Sequence, residues 1–269
     1  MYFKCETASY SYDISGEGEA VLLLHGFTGS KETWSSLKEF LLPKFKVITI
    51  DLPGHGQTLS KQVTMEECCH HLAKFLKYIK VEEAHIIGYS MGGRLALSFA
   101  MMFPERVRSL ILESSSPGLE TDKERQDRIL QDKKLAGKLN SEGIESFVRF
   151  WEDIPLFQSQ KSLSLDVRES IRVERLGQEA EGLADSLTYM GTGAQPSWWG
   201  KLSSLFLPTL LLVGELDEKF VLINERMAKL IPNCKMEVIK EAGHALHIER
   251  PVDFNSIVKQ YLITIKEDL

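Results

Sequence analysis

The sequence has few cysteines and no long apolar stretch. Its four cysteines, Cys5, Cys68, Cys69 and Cys234, are too few and too unevenly spaced for a disulfide framework. No apolar run approaches the ~20 residues that span a bilayer. The opening Met1-Tyr2-Phe3-Lys4-Cys5-Glu6-Thr7 lacks the basic-then-apolar order of a secretory signal. A basic excess is missing too: 32 Lys and Arg stand against 38 Asp and Glu, a net charge of −6. Nucleic-acid binders usually carry a basic stripe, so this balance argues against nucleic acid and against anionic membranes as partners. A cytoplasmic location is expected. Repeats and low-complexity linkers are absent. What is present, 43% apolar and 26% charged residues over 269 positions, is an ordinary globular composition with length enough for a large core.

Cys68-Cys69-His70-His71 has the residue types of a metal site but not the geometry. On a helix, consecutive side chains diverge by about 100° and cannot converge on one ion. Buried thiols and half-exposed histidines are expected there, with no metal.

Two alternating segments, Tyr2–Glu6 and Ser9–Asp13, fit an opening hairpin. Compact apolar runs follow at Ala20–Leu24, Lys46–Asp51, Ala84–Gly88, Ser109–Glu113, Thr209–Gly214 and Lys235–Ile239. They do not alternate, as expected of strands covered on both faces. Helical periods lie between them. Thr64–Ile79 opens with Thr64 and Glu67 in capping-box spacing, and Met91–Met102 and Asp253–Ile265 are further helices. Strands alternating with helices predict an α/β fold with a mainly parallel, doubly wound sheet. The alternation stops between Pro117 and Gly200, where polar helices beginning near Asp122, Ser141 and Asp166 are expected. Residues 1–116 and 201–269 therefore read as the core, and 117–200 as a helical cap over the sheet's C-terminal edge, where open α/β sheets bind ligands.

Gly88-Tyr89-Ser90-Met91-Gly92 matches G-x-S-x-G. Chance alone produces that pattern in roughly one chain in ten of this length, so its setting decides. A strand precedes it and a helix follows, which is the sharp turn that lifts a nucleophilic serine above a sheet. His25-Gly26-Phe27, after an earlier strand, could set the Phe27 N–H beside the Met91 N–H as a two-donor oxyanion hole. An acid and then a histidine should follow. Asp217, in Gly214-Glu215-Leu216-Asp217, and His244, in Ala242-Gly243-His244, both lie past strand ends on the same edge. Asp217 is preferred to Glu215 because it lies further past its strand, and His244 to His247 because Gly243 frees its loop. His55 reads as a loop residue and His85 as packed or surface.

Through His25-Gly26, the Asp51–Gly56 loop, Gly88–Gly92, Asp217 and His244, the chain resembles the α/β-hydrolase superfamily over nearly its whole length. A narrower resemblance rests on Arg94 after the serine motif, on the Met190–Trp199 segment and on Gly214–Phe220. These are similar to the 2-succinyl-6-hydroxy-2,4-cyclohexadiene-1-carboxylate synthases of menaquinone biosynthesis. That resemblance implies a small tricarboxylate substrate, three substrate arginines at Arg94, Arg128 and Arg175, and aromatic contacts from Tyr89 and Trp151. It implies pyruvate elimination with Ser90 as base and no cofactor or metal. Guanidinium forks suit carboxylates better than lysine does.

The 117–200 segment holds six of the eleven arginines, yet eleven basic against fifteen acidic residues leave it at −4. Local placement must therefore matter. Arg125, Arg149, Arg168 and Arg172 are expected on a solvated face. A serine ester or thioester hydrolase is the alternative reading, and a module that only binds its ligand is a third, disfavoured by the complete triad. A monomer or weak homo-oligomer is expected.

Overall fold

The computed structural model describes residues 1–267. In chain order the strands are β1 (Tyr2–Cys5), β2 (Ala8–Ser15), β3 (Glu19–Leu24), β4 (Phe45–Ile50), β5 (Leu59–Ser60), β6 (Ala84–Tyr89), β7 (Val107–Glu113), β8 (Thr209–Gly214) and β9 (Cys234–Ile239). The α-helices are α1 (Ser35–Leu41), α2 (Met65–Tyr78), α3 (Met91–Met102), α4 (Asp122–Trp151), α5 (Leu165–Leu176), α6 (Ala180–Tyr189), α7 (Glu218–Leu230), α8 (Leu246–Glu249) and α9 (Pro251–Glu267). The expected hairpin is β1–β2, and the six expected core strands are β3, β4, β6, β7, β8 and β9. They run parallel in the order β4-β3-β6-β7-β8-β9, with β2 antiparallel on the β4 side.

Successive strand side chains point to opposite faces. Leu22, Leu24, Ile86, Leu110, Leu112 and Leu211 pack in one apolar cluster, while Val21, Leu23, Ile87, Ile111, Leu210 and Leu212 pack in another. Both faces are thus covered, which is why these runs do not alternate in hydropathy.

On α2, the Thr64 hydroxyl accepts the Glu67 N–H at 3.2 Å and the Glu67 carboxylate accepts the Thr64 N–H at 2.8 Å, closing the capping box. Cys68 and Cys69 face inward, and burial pushes the Cys68 thiol up to about 12. The two histidines are not both half-exposed. His70 is exposed, whereas His71 is buried with its Nδ1 2.9 Å from the Tyr10 hydroxyl, because only one of two adjacent helical positions can face the hairpin.

Between β7 and β8 there is no strand. The helix opening at Asp122 runs through the start expected near Ser141 and breaks instead at Gly143, whose φ of +77° is left-handed. α5 begins at Leu165, with the Ser164 hydroxyl accepting the Val167 N–H. The sequence pattern missed α6 because Gly182 interrupts it. A side chain there would strike the Gly54 carbonyl, so this glycine lets α6 approach the loop after β4 closely. Leu139 and Phe147 of α4 pack on Leu183 and Leu187 of α6, and Phe27 and Trp151 join them from below. These helices sit over the C-terminal ends of β3 and β6. Among the described residues no helix is long and apolar enough to cross a membrane.

Candidate active site

The turn from β6 into α3 needs its glycines. A Cβ on Gly92 would strike the Leu24 and His25 carbonyls, and one on Gly88 would strike the Gly92 carbonyl. Ser90 sits between them at φ +49°, a conformation costly for a residue with a side chain, of the kind that concentrates at active sites. Its N–H donates to the Glu113 carbonyl at 2.9 Å, tying the turn to the end of β7.

Asp217 and His244, from the ends of β8 and β9, meet Ser90. His244 Nδ1 lies 2.6 Å from Asp217 Oδ2, and its Nε2 lies 3.0 Å from Ser90 Oγ. The carboxylate only accepts, so Nδ1 carries the proton and Nε2 accepts from the serine hydroxyl. His244 and Asp217 are both buried. Glu215, the rival acid, instead accepts the Glu241 N–H at 3.0 Å. His247, the rival base, is committed elsewhere: its Nδ1 lies 2.7 Å from a buried Glu113 carboxylate oxygen.

Met91 is the first residue of α3, so its N–H is one of the donors a helix leaves without an internal acceptor. Phe27 faces the same cavity. Two buried histidines hold the Phe27 loop. His25 Nε2 accepts the Leu52 N–H at 2.9 Å while its Nδ1 donates to Gly26 O at 2.8 Å. His55 Nε2 accepts the Thr28 N–H at 3.2 Å while its Nδ1 donates to Pro53 O at 3.0 Å. Burial holds both neutral, with His25 down to about 4 and His55 to about 3. His55 is thus the expected loop residue, and His85 is packed, with Nδ1 2.7 Å from Ser109 Oγ.

Ser90 opens into a cavity of about 550 Å³ under α4 and α6, lined also by Phe27, Met91, Arg94, Arg128 and Trp151. Arg94, one helical turn past Ser90, is buried, and its Nη1 donates to the Met190 carbonyl at 3.0 Å and to Gln195 Oε1. Burial first, and then the nearby Arg128 charge, lower its pKa to about 9. Arg128 Nε donates to Asp132 Oδ1 at 2.8 Å, which orients its guanidinium. Gln195 and Asp132 hold the two arginines, and neither is distinguishable in sequence from an ordinary polar residue.

Two expected site residues are not brought to this cavity. Arg175 and Tyr89 line a separate space of about 30 Å³ behind Phe157. The Arg175 guanidinium stacks 4.7 Å from the Phe157 ring centroid and donates to Gln160 Oε1 at 3.2 Å. The Tyr89 ring still packs against the triad histidine, with centroids 5.4 Å apart, and the Phe157 ring that covers Arg175 lies 6.1 Å from that of His244. Of the arginines expected on a solvated face, Arg149 and Arg168 are exposed. Arg125 and Arg172 are half-buried, and Arg172 pairs with Glu152 at 2.5 Å.

A family model described as the alpha/beta hydrolase fold matches residues 19–251. The chain belongs to this family. Within the α/β hydrolases it is 47% identical to a Bacillus subtilis protein provisionally named 2-succinyl-6-hydroxy-2,4-cyclohexadiene-1-carboxylate synthase, over 94% of this chain and 95% of that one. It is 31% identical to a Photorhabdus laumondii protein named as the same synthase, over 89% of this chain and 84% of that one. The solved structure of MenH from S. aureus superposes with a TM-score of 0.91 at 37% identity, covering 96% of this chain and 98% of that one.

Proposed function

We infer that this α/β hydrolase is a carbon–oxygen lyase of menaquinone biosynthesis. It eliminates pyruvate from 2-succinyl-5-enolpyruvyl-6-hydroxy-3-cyclohexene-1-carboxylate to give 2-succinyl-6-hydroxy-2,4-cyclohexadiene-1-carboxylate. The observation that carries this reading is the pair Arg94 and Arg128 on the wall of the Ser90 cavity. A simple esterase needs an apolar acyl pocket there, whereas two guanidiniums suit a substrate rich in carboxylates. The shared name of the relatives supports it.

In this reading His244, oriented by Asp217, takes the Ser90 proton as Ser90 Oγ removes the acidic ring proton beside the succinyl carbonyl. The electron pair moves into that carbonyl, whose oxygen the Phe27 and Met91 N–H groups hold. Losing one such donor typically costs ~2.7–4 kcal/mol in the barrier. The pair then passes through the ring double bond and expels the enolpyruvyl oxygen. The leaving enolate takes a proton on carbon and becomes pyruvate. Trp151 packs on the substrate ring, and residues 117–200 act as the cap that closes the site.

The test is pyruvate release from the purified protein with the enolpyruvyl cyclohexene precursor. Ser90→Ala should lower turnover by at least about a thousandfold with the fold intact, consistent with the scale of losing a catalytic base. Near-normal release by that variant would sink the assignment. Ester hydrolysis remains the second reading, because the 3.0 Å Ser90–His244 contact would equally activate a nucleophile. It requires an acyl group on Ser90 during turnover, which rapid quenching and mass spectrometry detect.

A further inference from the structure

The triad uses one buried acid–histidine pair, and a second such pair lies behind it. Glu113 ends β7 with no solvent exposure, and its carboxylate accepts the His247 Nδ1–H at 2.7 Å and the His247 backbone N–H at 3.1 Å. We propose that Glu113 and His247 are positioning residues for the catalytic centre. Together they hold the Tyr89 ring as the spacer that sets Ser90, His244 and the oxyanion loop at their working distances. The assignment extends the lyase reading above, but it depends on the triad and not on which substrate the triad serves.

Tyr89 is where the parts meet. It precedes Ser90 in the chain, its ring centroid lies 5.4 Å from that of His244, and a Cβ on Gly26 would fall 2.5 Å from its Cδ1. The ring is thus pressed on the glycine just before Phe27, with the catalytic base beside it. Another neighbour is the His247 ring, 4.7 Å away and edge-on. Glu113 governs both ends of this arrangement. Its carbonyl takes the Ser90 N–H at 2.9 Å, next to Tyr89 in the backbone, while its carboxylate fixes the ring that packs on Tyr89. Its charge also reaches the Tyr89 hydroxyl, whose pKa is pushed well up by burial first and by Glu113 next, so the phenol keeps its proton. Packing alone does not account for these residue types. A buried carboxylate and imidazole cost more to desolvate than an apolar pair of the same volume. What they add is orientation: both Glu113 oxygens lie within 2.9 Å of His247 Nδ1, which fixes the rotation of the ring. His247 Nε2 has no hydrogen-bond partner among the described residues, so Glu113 alone directs that ring. Immediately after Glu113 the backbone turns left-handed at Ser114, φ +46°, a local strain of the kind that gathers at functional sites.

The experiment uses the full chain and two readouts, both normalised to the folded fraction. One is kcat and KM for pyruvate release, and the other is the rate at which a fluorophosphonate labels Ser90, followed by intact mass. His247→Leu should lower kcat and the labelling rate by at least about tenfold while KM stays within about threefold, the mark of misplaced catalytic groups. Glu113→Leu should do the same, and the double variant should lose no more than about threefold beyond either single one, because the two act as a unit. Glu113→Gln, whose amide oxygen still accepts, should recover most of the loss. Should His247→Leu fail to fold, His247→Gln keeps a donor for Glu113 but no ring for Tyr89, and the same losses are expected of it. A lower thermal midpoint with both rates unchanged makes the pair purely structural and overturns the proposal. So does a loss confined to KM, or losses that multiply in the double variant. A wild-type chain that labels rapidly but releases no pyruvate, beside slow labelling of His247→Leu, overturns the lyase reading instead and leaves the role of the pair standing.

Discussion

Glu249 accepts the Gly243 N–H at 2.7 Å and the Ala245 N–H at 3.1 Å, so one carboxylate clamps the backbone on both sides of His244. Glu113 does similar work one layer down. Its carbonyl receives the Ser90 N–H, and its carboxylate receives the His247 N–H at 3.1 Å as well as the His247 ring. Removing a partner from a partly buried donor costs ~1–3 kcal/mol. If that appears as misalignment of His244, Glu249→Ala should lower kcat by about tenfold to a hundredfold and change KM much less. Active-site titration of the folded fraction separates this from simple unfolding, and an unchanged kcat per folded molecule would refute it. Ser90, Asp217 and His244 were legible in the sequence because each sits at a strand end with a glycine signal beside it. Glu249, Glu113, Gln195 and Asp132 were not, because a glutamate that clamps a loop and one that meets water look alike until the loop is built.

At the scale of elements, α5 is tied to the core by side chains near its C-terminus. The Glu174 carboxylate accepts the Ser30 N–H at 3.0 Å, the Ser30 hydroxyl at 2.8 Å and the Thr33 hydroxyl at 2.6 Å. Gln178 Oε1, just past the helix, accepts the Gly56 N–H at 2.8 Å. These contacts join α5 to the loops after β3 and β4, the same loops that carry Phe27 and His55. Charge-assisted hydrogen bonds of this kind contribute about 1.5–3 kcal/mol. Glu174→Ala should therefore speed amide exchange across residues 165–176 by about tenfold or more, with β3 and β6 unchanged. Equal acceleration everywhere would mean that the contact serves global stability and no local clasp exists. The core elements were readable because period 2 and period 3.6 mark buried strands and amphipathic helices. The segment between β7 and β8 was read less well. Its helices bury narrow stripes on each other, the α4 break rests on the left-handed backbone of Gly143, and α6 depends on Gly182, whose close approach to Gly54 is tertiary.

For the whole molecule, pH dependence follows from neutral buried histidines. The folded pKa values of His25 and His55, about 4 and about 3, lie below the ordinary 6.5, and His71 is also shifted down by burial. Between those values the unfolded chain binds more protons, so stability falls as pH drops below about 6.5. The loss approaches about 3 kcal/mol for His25 alone as pH nears 4. Protonation would also break the Leu52 and Thr28 bonds that hold the Phe27 loop. The thermal midpoint should therefore decline from pH 6.5 toward 4.5, and His55→Asn should flatten that slope. A midpoint constant between pH 7 and 5 would contradict this account.

The sequence alone determined the sheet, the strand-end placement of Ser90, Asp217 and His244, and the −6 charge that argues against polyanionic partners. Those properties follow from periodicity, glycine chemistry and composition, which are local or additive. Only the tertiary structure decided which cations face the cavity. Arg94, Arg128 and Arg175 carry the same formal charge, and packing alone separates the two that line the Ser90 space from the one that does not. Net charge is a sum over the chain, whereas recognition depends on where each charge is desolvated and aimed.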